Sequence, residues 1–266
     1  MIEAGKTYVV MGLLNNDSIA FAIGKAIESH GGKVIFTVQN ERFKRIFFDR
    51  SKDLSADEIA ALDIRYCDVT IEDELKAFFE GVGEISGLVH SIGFANPKTC
   101  LGAEFHTDAI EDIKNGFNIS AVSLASIVRH AYPHMTQGGS VVALTFESRL
   151  AFPQYNWMGV NKAALEAIVR ALARRHGRDL IRVNAVSAGP IATKAATSIP
   201  GFDSLASTWQ KISPLPWDVY TAKTEVANAA TFLLGPLAKK ITGQTIYVDG
   251  GASIIGGEMT PEERAN

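Results

Sequence analysis

In the stretch YNWMGVNK, Tyr155 and Lys162 stand seven residues apart. If the stretch is helical, seven steps of about 100° return the two side chains to nearly one line, roughly 10 Å apart along the axis. A phenol and an ammonium held that way can share one reaction. The phenol, with an ordinary pKa of about 10, donates a hydrogen bond to an oxygen that is gaining negative charge. The ammonium holds hydroxyl groups and adds positive potential. An amphipathic helix without chemistry can show the same spacing, so the rest of the chain must decide.

Other candidates fall at the ends of apolar runs. Gly12 follows the first run, in MGLLNNDSIAFAIGKAI. The dinucleotide fingerprint G-x-G-x-x-G is absent, and the next glycine is Gly24. Gly12 still permits a tight turn, Asp17 or Ser18 can cap the helix that follows, and small Ala20 lets that helix approach a sheet. The first N–H groups can then face a pyrophosphate. An ordinary strand-to-helix turn would carry the same residues. Gln39 closes the second run, where dinucleotide folds grip the adenosine ribose. It is neutral and can donate to ribose hydroxyls, while nearby Arg42 leaves room for a 2′-phosphate. Asp68 closes the third run; it can accept from an adenine amine, cap a helix beginning near Ile71, or do both. In HSIGFANP, Gly93 lets backbone approach a ligand, whereas His90 sits in an apolar strand and reads as a core histidine. Thr193, in AGPIATKAATSIPGF, is a donor for pyrophosphate or carboxamide.

The elements that must position these residues alternate. Strand-length apolar runs lie at 7–11, 33–38, 64–68, 87–91, 140–145, 181–186 and 245–248. Several are apolar throughout, as strands covered on both faces should be. Helical periodicity fills 18–29, 71–79, 119–135, 155–175 and 223–234. This predicts one α/β domain over residues 1–266, a doubly wound parallel sheet of Rossmann type. The segment 199–216 is less regular, and its apolar members either cover a ligand or pack on the sheet edge. The last ten residues read as a loose polar tail.

Composition narrows the function classes. Hydrophobic residues make up 47% of 266 and the net charge is −3, which points to a globular core and to no nucleic-acid partner. Cys67 and Cys100 form no CxxC or Cys/His cluster, so neither a disulfide framework nor a metal site is expected. No 18-residue apolar stretch and no signal-like start occur, so no membrane span and a cytoplasmic protein are expected.

Six stretches carry a resemblance: Gly12 with SIAFAI (18–23), CDV (67–69), HSIGFA (90–95), YNWMGVNKAALEA (155–167), RVNAVSAGPIATKAA (182–196) and VDGGAS (248–253). In this order they resemble the bacterial NADH-dependent enoyl-acyl-carrier-protein reductases, a divergent branch of the short-chain dehydrogenase/reductase superfamily. SIAF, YNWM and PLPWDV are similar to the mycobacterial long-chain branch. The resemblance implies a seven-stranded parallel sheet, a homotetramer, NAD as cofactor, and reduction of a trans-2-enoyl thioester of acyl carrier protein or of coenzyme A. It places Gly12, Ser18, Ile19, Gln39, Asp68 and Val69 on the dinucleotide. Ser91, Ile92, Gly93, Lys162, Ile191, Thr193 and Ala195 join them. It places Ala95 along the acyl site; Phe146, Tyr155, Met158 and Ile199 are further candidates there, and Tyr155 and Lys162 are the catalytic candidates. Met158 reads as packing beneath the nicotinamide.

Two departures bear on mechanism. The broader superfamily spaces its tyrosine and lysine by Tyr-x3-Lys, but position 159 here is glycine. The longer spacing suits hydride addition at a β-carbon better than carbonyl reduction, the alternative activity of this fold. Many relatives also carry a second tyrosine before the catalytic one. Here TFESRLAF puts Phe146 there, and a phenyl ring exchanges no proton.

Overall fold

The computed structural model describes residues 1–51 and 53–260. Seven strands build one sheet: β1 (Thr7–Met11), β2 (Lys33–Val38), β3 (Asp63–Tyr66), β4 (Gly87–His90), β5 (Gly139–Thr145), β6 (Ile181–Ala188) and β7 (Thr245–Val248). All neighbours pair in parallel, in the order β3-β2-β1-β4-β5-β6-β7. The central strands are largely apolar because successive residues enter two different cores. Tyr8 and Val10 face one, Val9 and Met11 the other; Val142 and Leu144 face one, Val141 and Ala143 the other.

The helices are α1 (Ile19–Ser29), the short α2 (Glu41–Phe43) and α3 (Ala56–Ala60), α4 (Glu72–Glu80), α5 (Ile110–Phe117), α6 (Ser123–Ala131), α7 (Asn156–His176), α8 (Phe202–Ile212) and α9 (Lys223–Leu234). Helices α1 and α9 close the first core with Ile23, Ile27, Val226 and Leu233. Helices α4, α6 and α7 close the second with Leu75, Phe79, Leu124, Ile127, Leu165 and Val169. Each such aliphatic or aromatic side chain contributes about 1.5–3 kcal/mol by leaving water. Helix α1 lies close on the sheet because Gly24 has no Cβ, which would otherwise run into the Phe36 ring.

Three expectations need correction. Helical structure before β5 starts at Ile110, not at 119: α5 passes through a π-helical stretch, Asn118–Val122, into α6. Gly116 obscured this in the sequence; it is tolerated because it lies under the Phe94 carbonyl, 3.2 Å from where a Cβ would stand. The segment 199–216 is mostly an ordered helix, α8, framed by Pro200 and Pro214. Its Phe202 and Trp209, seven residues apart, are both buried. The tail is held at its start: Glu258 pairs with Lys211 at 3.6 Å, and the Met259 N–H donates to the Lys211 carbonyl at 3.0 Å. Residues 261–266 of that expected tail lie outside the described residues. Among the described residues no helix is long and apolar enough to cross a membrane.

Candidate active site

In an open parallel sheet the ligand crevice lies beyond the carboxyl ends of the strands, where the strand order reverses. Here the reversal falls between β1, which is followed by β2 on one side, and β4 on the other. Gly12 leaves β1 with φ +99°, and a Cβ on it would collide with the Ser91 carbonyl and stand 2.9 Å from Ile92. Only glycine lets the two strand ends come this close. Ser91 itself continues the pairing, its N–H donating to the Met11 carbonyl at 3.0 Å.

Ser18, not Asp17, caps α1: its Oγ accepts from the Phe21 N–H at 3.3 Å and donates to the Asn15 carbonyl at 2.6 Å. Asp17 instead pairs with Lys223 at the start of α9, at 3.0 Å. Asn16 donates to Asp53 at 3.1 Å, so the turn is pinned from both sides. The first bond of the helix runs from Ala22 N–H to the Ser18 carbonyl. The N–H groups of Ile19 and Ala20 precede it and can take an anion.

Gln39 and Asp68 meet. The Gln39 amide donates to Asp68 Oδ2 at 2.7 Å, while Oδ1 accepts from the Thr70 N–H and hydroxyl at 2.9 and 2.6 Å. These bonds hold the Asp68 carboxyl below its usual range in spite of partial burial, the largest single influence, which acts the other way. The expectation that Asp68 caps a helix is corrected: α4 has Ile71 at its N-cap, with no side-chain cap. Asp68 closes the turn before the helix instead. Val69 stands beside it, half-buried. Arg42 is exposed.

Tyr155 stands just before α7 rather than within it. Gln154 and Asn156 flank it with φ of 69° and 28°. Contacts with the 100–105 loop set this entry: Asn156 Nδ2 donates to the Gly102 and Glu104 carbonyls at 2.6 and 3.1 Å, and the Trp157 N–H donates to the Cys100 carbonyl at 3.2 Å. The tyrosine is buried, and burial pushes its pKa well above the ordinary phenol value. Its ring packs on Phe146 at 4.8 Å, and Phe146 packs on Phe152 and Trp209 at 5.2 and 5.4 Å. The α8 segment therefore touches the wall behind the tyrosine.

Lys162 is buried on α7 and its Nζ donates to the Leu144 carbonyl at 2.8 Å. Desolvation pulls its pKa down to about 8. A Cβ on Gly93 would stand 3.6 Å from this Nζ and 3.9 Å from Met158 Cε, so lysine, methionine and the backbone after β4 share one space. Ala95 is buried beyond it. Ile191 and Thr193 are buried after β6, where the Thr193 hydroxyl accepts from the Ala196 N–H at 3.2 Å and keeps its own proton free to donate. Ala195 is exposed there, and Ile199 is half-buried against the first core.

His90 is fully buried, with Nε2 2.8 Å from Ser123 Oγ, and burial pushes its pKa down to about 3. It is a core group that stays neutral. Sequence reasoning missed Glu166 and Thr145, whose side chains bond each other under α7 at 2.9 Å. The only signal was the Lys162-to-Glu166 spacing, which reads as a surface pair on any helix. It also missed Phe152 and Trp209. Among the described residues no cluster of His, Cys, Asp or Glu could hold a metal.

The described residues suit a dinucleotide. The crevice floor is bare backbone at Gly12 and Gly93, a helix N-terminus is open, and Lys162 keeps two N–H donors beyond the one used on Leu144.

Comparison with known proteins agrees with this geometry. Residues 12–253 match the family model described as Enoyl-(Acyl carrier protein) reductase. The NADH-dependent enoyl-acyl-carrier-protein reductase FabI of Bacillus cereus is 41% identical over 261 residues, covering 95% of this chain and 98% of the relative. A crystal structure of the Bacillus cereus enzyme with NADP+ and indole naphthyridinone superimposes with a TM-score of 0.85 at 40% identity, covering 96% and 98% of the two chains. That of the Anaplasma phagocytophilum reductase with NAD gives 0.87 at 33% identity and 97% of each. A seven-stranded parallel sheet, a family match over residues 12–253 and a relative 41% identical over 95% of the chain place this chain in the enoyl-acyl-carrier-protein reductase family.

Proposed function

We propose that the protein reduces trans-2-enoyl thioesters to acyl thioesters with NADH, as the last step of a fatty-acid elongation cycle. The observation that carries this reading is a buried Tyr155 phenol seven residues from a Lys162 ammonium that faces Gly93 at the end of β4. When bound, NADH supplies the hydride that adds to C3 of the enoyl group. Negative charge then develops on the thioester oxygen. The Tyr155 hydroxyl, kept protonated by burial, donates a hydrogen bond to that oxygen, and a proton from solvent then adds at C2 to give the acyl thioester. Lys162 holds the ribose hydroxyls and adds positive potential beside the reacting centre. The open first turn of α1, with Gly12 and Ser18, takes the pyrophosphate. Ile191, Thr193 and Ala195 flank the carboxamide end. Gln39 and Asp68 take the adenosine end, where the Asp68 carboxylate disfavours a 2′-phosphate. Ala95, Phe146, Met158 and Ile199 line the acyl path, and the 194–216 segment covers it. The acyl group arrives on acyl carrier protein or coenzyme A, and the enzyme works as a cytoplasmic homotetramer.

The test is NADH oxidation with crotonyl and dodecenoyl thioesters against a panel of ketones. Thioester-dependent oxidation is expected. A signal from ketones alone would make the chain a carbonyl reductase instead.

A further inference from the structure

One buried charge beside the crevice has no part in the reaction just described. Glu166 stands one turn beyond Lys162 on α7 and is 7% exposed. Its Oε1 accepts from Thr145 Oγ1 at 2.9 Å. One residue earlier on β5, the Leu144 carbonyl accepts from Lys162 Nζ at 2.8 Å. Two consecutive strand residues thus grip an ammonium and a carboxylate on consecutive turns of the helix.

A carboxylate is costly to bury on a single hydroxyl bond, and it persists when its charge is balanced. Lys162, one turn back on the same helix and anchored on the preceding strand residue, is the buried cation beside it. Desolvation works to strip that lysine of its proton, and Glu166 is the group that opposes this. The other groups facing the pair do not substitute for it. His90 faces Lys162 from β4 and is neutral above about pH 3. Tyr155, at the head of α7, stays protonated. On the far side Arg149 and Tyr247 lie within the field of Glu166. Arg149 is committed to Glu147, through Nε and Nη2 at 2.9 and 2.6 Å.

We propose that Glu166 is the positioning residue of Lys162: its carboxylate, anchored on Thr145, keeps the neighbouring ammonium charged and turned towards Leu144 and Gly93. This rests on the reading of Lys162 as the ligand of the nicotinamide ribose. A glutamine at 166 would fill the same volume and still accept from Thr145. It would not hold a charge on Lys162.

The test is fluorescence titration of the full-length protein with NADH between about pH 6.5 and 9.5, with thermal melts in the same buffers. In Glu166→Gln the pH at which affinity begins to fall should move down by roughly one unit. NADH then binds about tenfold more weakly at about pH 8 and within about threefold of wild type at about pH 6.5. Glu166→Asp keeps the carboxylate and should restore most of the profile. A Glu166→Gln profile that superimposes on wild type while only the melting temperature drops would overturn the proposal, because that is what a packing role predicts. If Glu166→Gln does not fold, Thr145→Val carries the test. It removes the anchor at constant shape, and an unchanged profile there is equally fatal. In a Lys162→Met background, Glu166→Gln should add no further pH shift, and a shift that persists there overturns the coupling. Wild-type NADH affinity in Lys162→Met alone would instead sink the cofactor reading, a separate failure.

Discussion

The Phe146 ring lies 4.8 Å from that of Tyr155, inclined by 55°. Among the described residues the Tyr155 hydroxyl makes no hydrogen bond, so the ring is held by packing and its O–H is left for a ligand. Phe146 also passes that contact on to Trp209 of α8, whose Nε1 donates to the Asp249 carbonyl at 2.9 Å. The proposed proton-sharing group and the proposed cover thus rest on one aromatic cluster.

Tyr155→Phe should keep this cluster and the fold, since no bond to the hydroxyl is lost. Turnover with an enoyl thioester should fall by about 10²–10³. NADH affinity, by fluorescence titration, should stay within about twofold, because on this reading only the substrate oxygen needs the hydroxyl. Wild-type turnover in this variant would remove Tyr155 from the mechanism.

The alkaline limb of activity should belong to Lys162. Its ammonium is lost as pH rises through about 8, so kcat/KM for NADH should decline above that pH. Tyr155 does not titrate in the same range, because burial raises its pKa. The check is a pH profile of the residual activity of Tyr155→Phe, which should keep the limb. Its disappearance there would assign the limb to the tyrosine.

The same lysine sets a pH slope of stability. Its folded pKa, lowered to about 8, lies below the unfolded value of about 10.4. Between those values the unfolded chain holds the extra proton, so the folded state gains stability as pH rises through that window. Below it, the buried charge costs stability. Relative to Lys162→Met, wild type should therefore gain melting temperature from about pH 8 to about pH 10, with each kcal/mol worth about 2–4 °C. Parallel melting curves for the two proteins would contradict the burial of a charged Lys162.

Gly12→Ala should be costly out of proportion to one methyl group. The φ of +99° is strained for alanine, and the Cβ meets the Ser91 carbonyl, which β4 cannot move without losing its pairing to Met11. A loss of about 2–4 kcal/mol in denaturant unfolding is expected, together with weaker NADH binding. Wild-type stability would show that the ends of β1 and β4 can part to admit a methyl group.

NADH should be preferred over NADPH. The Gln39 amide is spent on Asp68, so on the proposed reading a carboxylate stands beside the residue that takes the adenosine ribose and would repel a 2′-phosphate there. Exposed Arg42, together with Lys44 or Arg45, is able to reverse this, by ion pairs that salt would screen. The check is kcat/KM with both cofactors at low and high ionic strength. If NADPH matches or exceeds NADH at low salt, and Arg42→Ala abolishes that, the preference is wrong.

The sequence by itself determined the layered architecture. Runs such as 140–145 are apolar on both sides, and only a sheet covered on two faces buries both, which is how Val141 and Val142 come to serve different cores. It also determined where chemistry could sit, because Gly12, Gly93, Tyr155 and Lys162 are local choices at strand and helix ends. What it could not contain are the partners brought together by folding. Gln39 meets Asp68 across 29 residues, Asp17 meets Lys223 across 206, and Thr145 meets Glu166 across two elements. Helix α8 was legible only as one short helix in an irregular segment, because two prolines and a glycine frame it, while its hold on Trp209 comes from distant Phe146 and Phe152. The charge state of Lys162 was the least legible of all. A lysine in sequence is a solvated cation with a pKa of about 10.4. Only burial against β5 turns it into a group that titrates near pH 8, with Glu166 one turn away opposing the drop, since desolvation and a neighbouring carboxylate are properties of the folded interior.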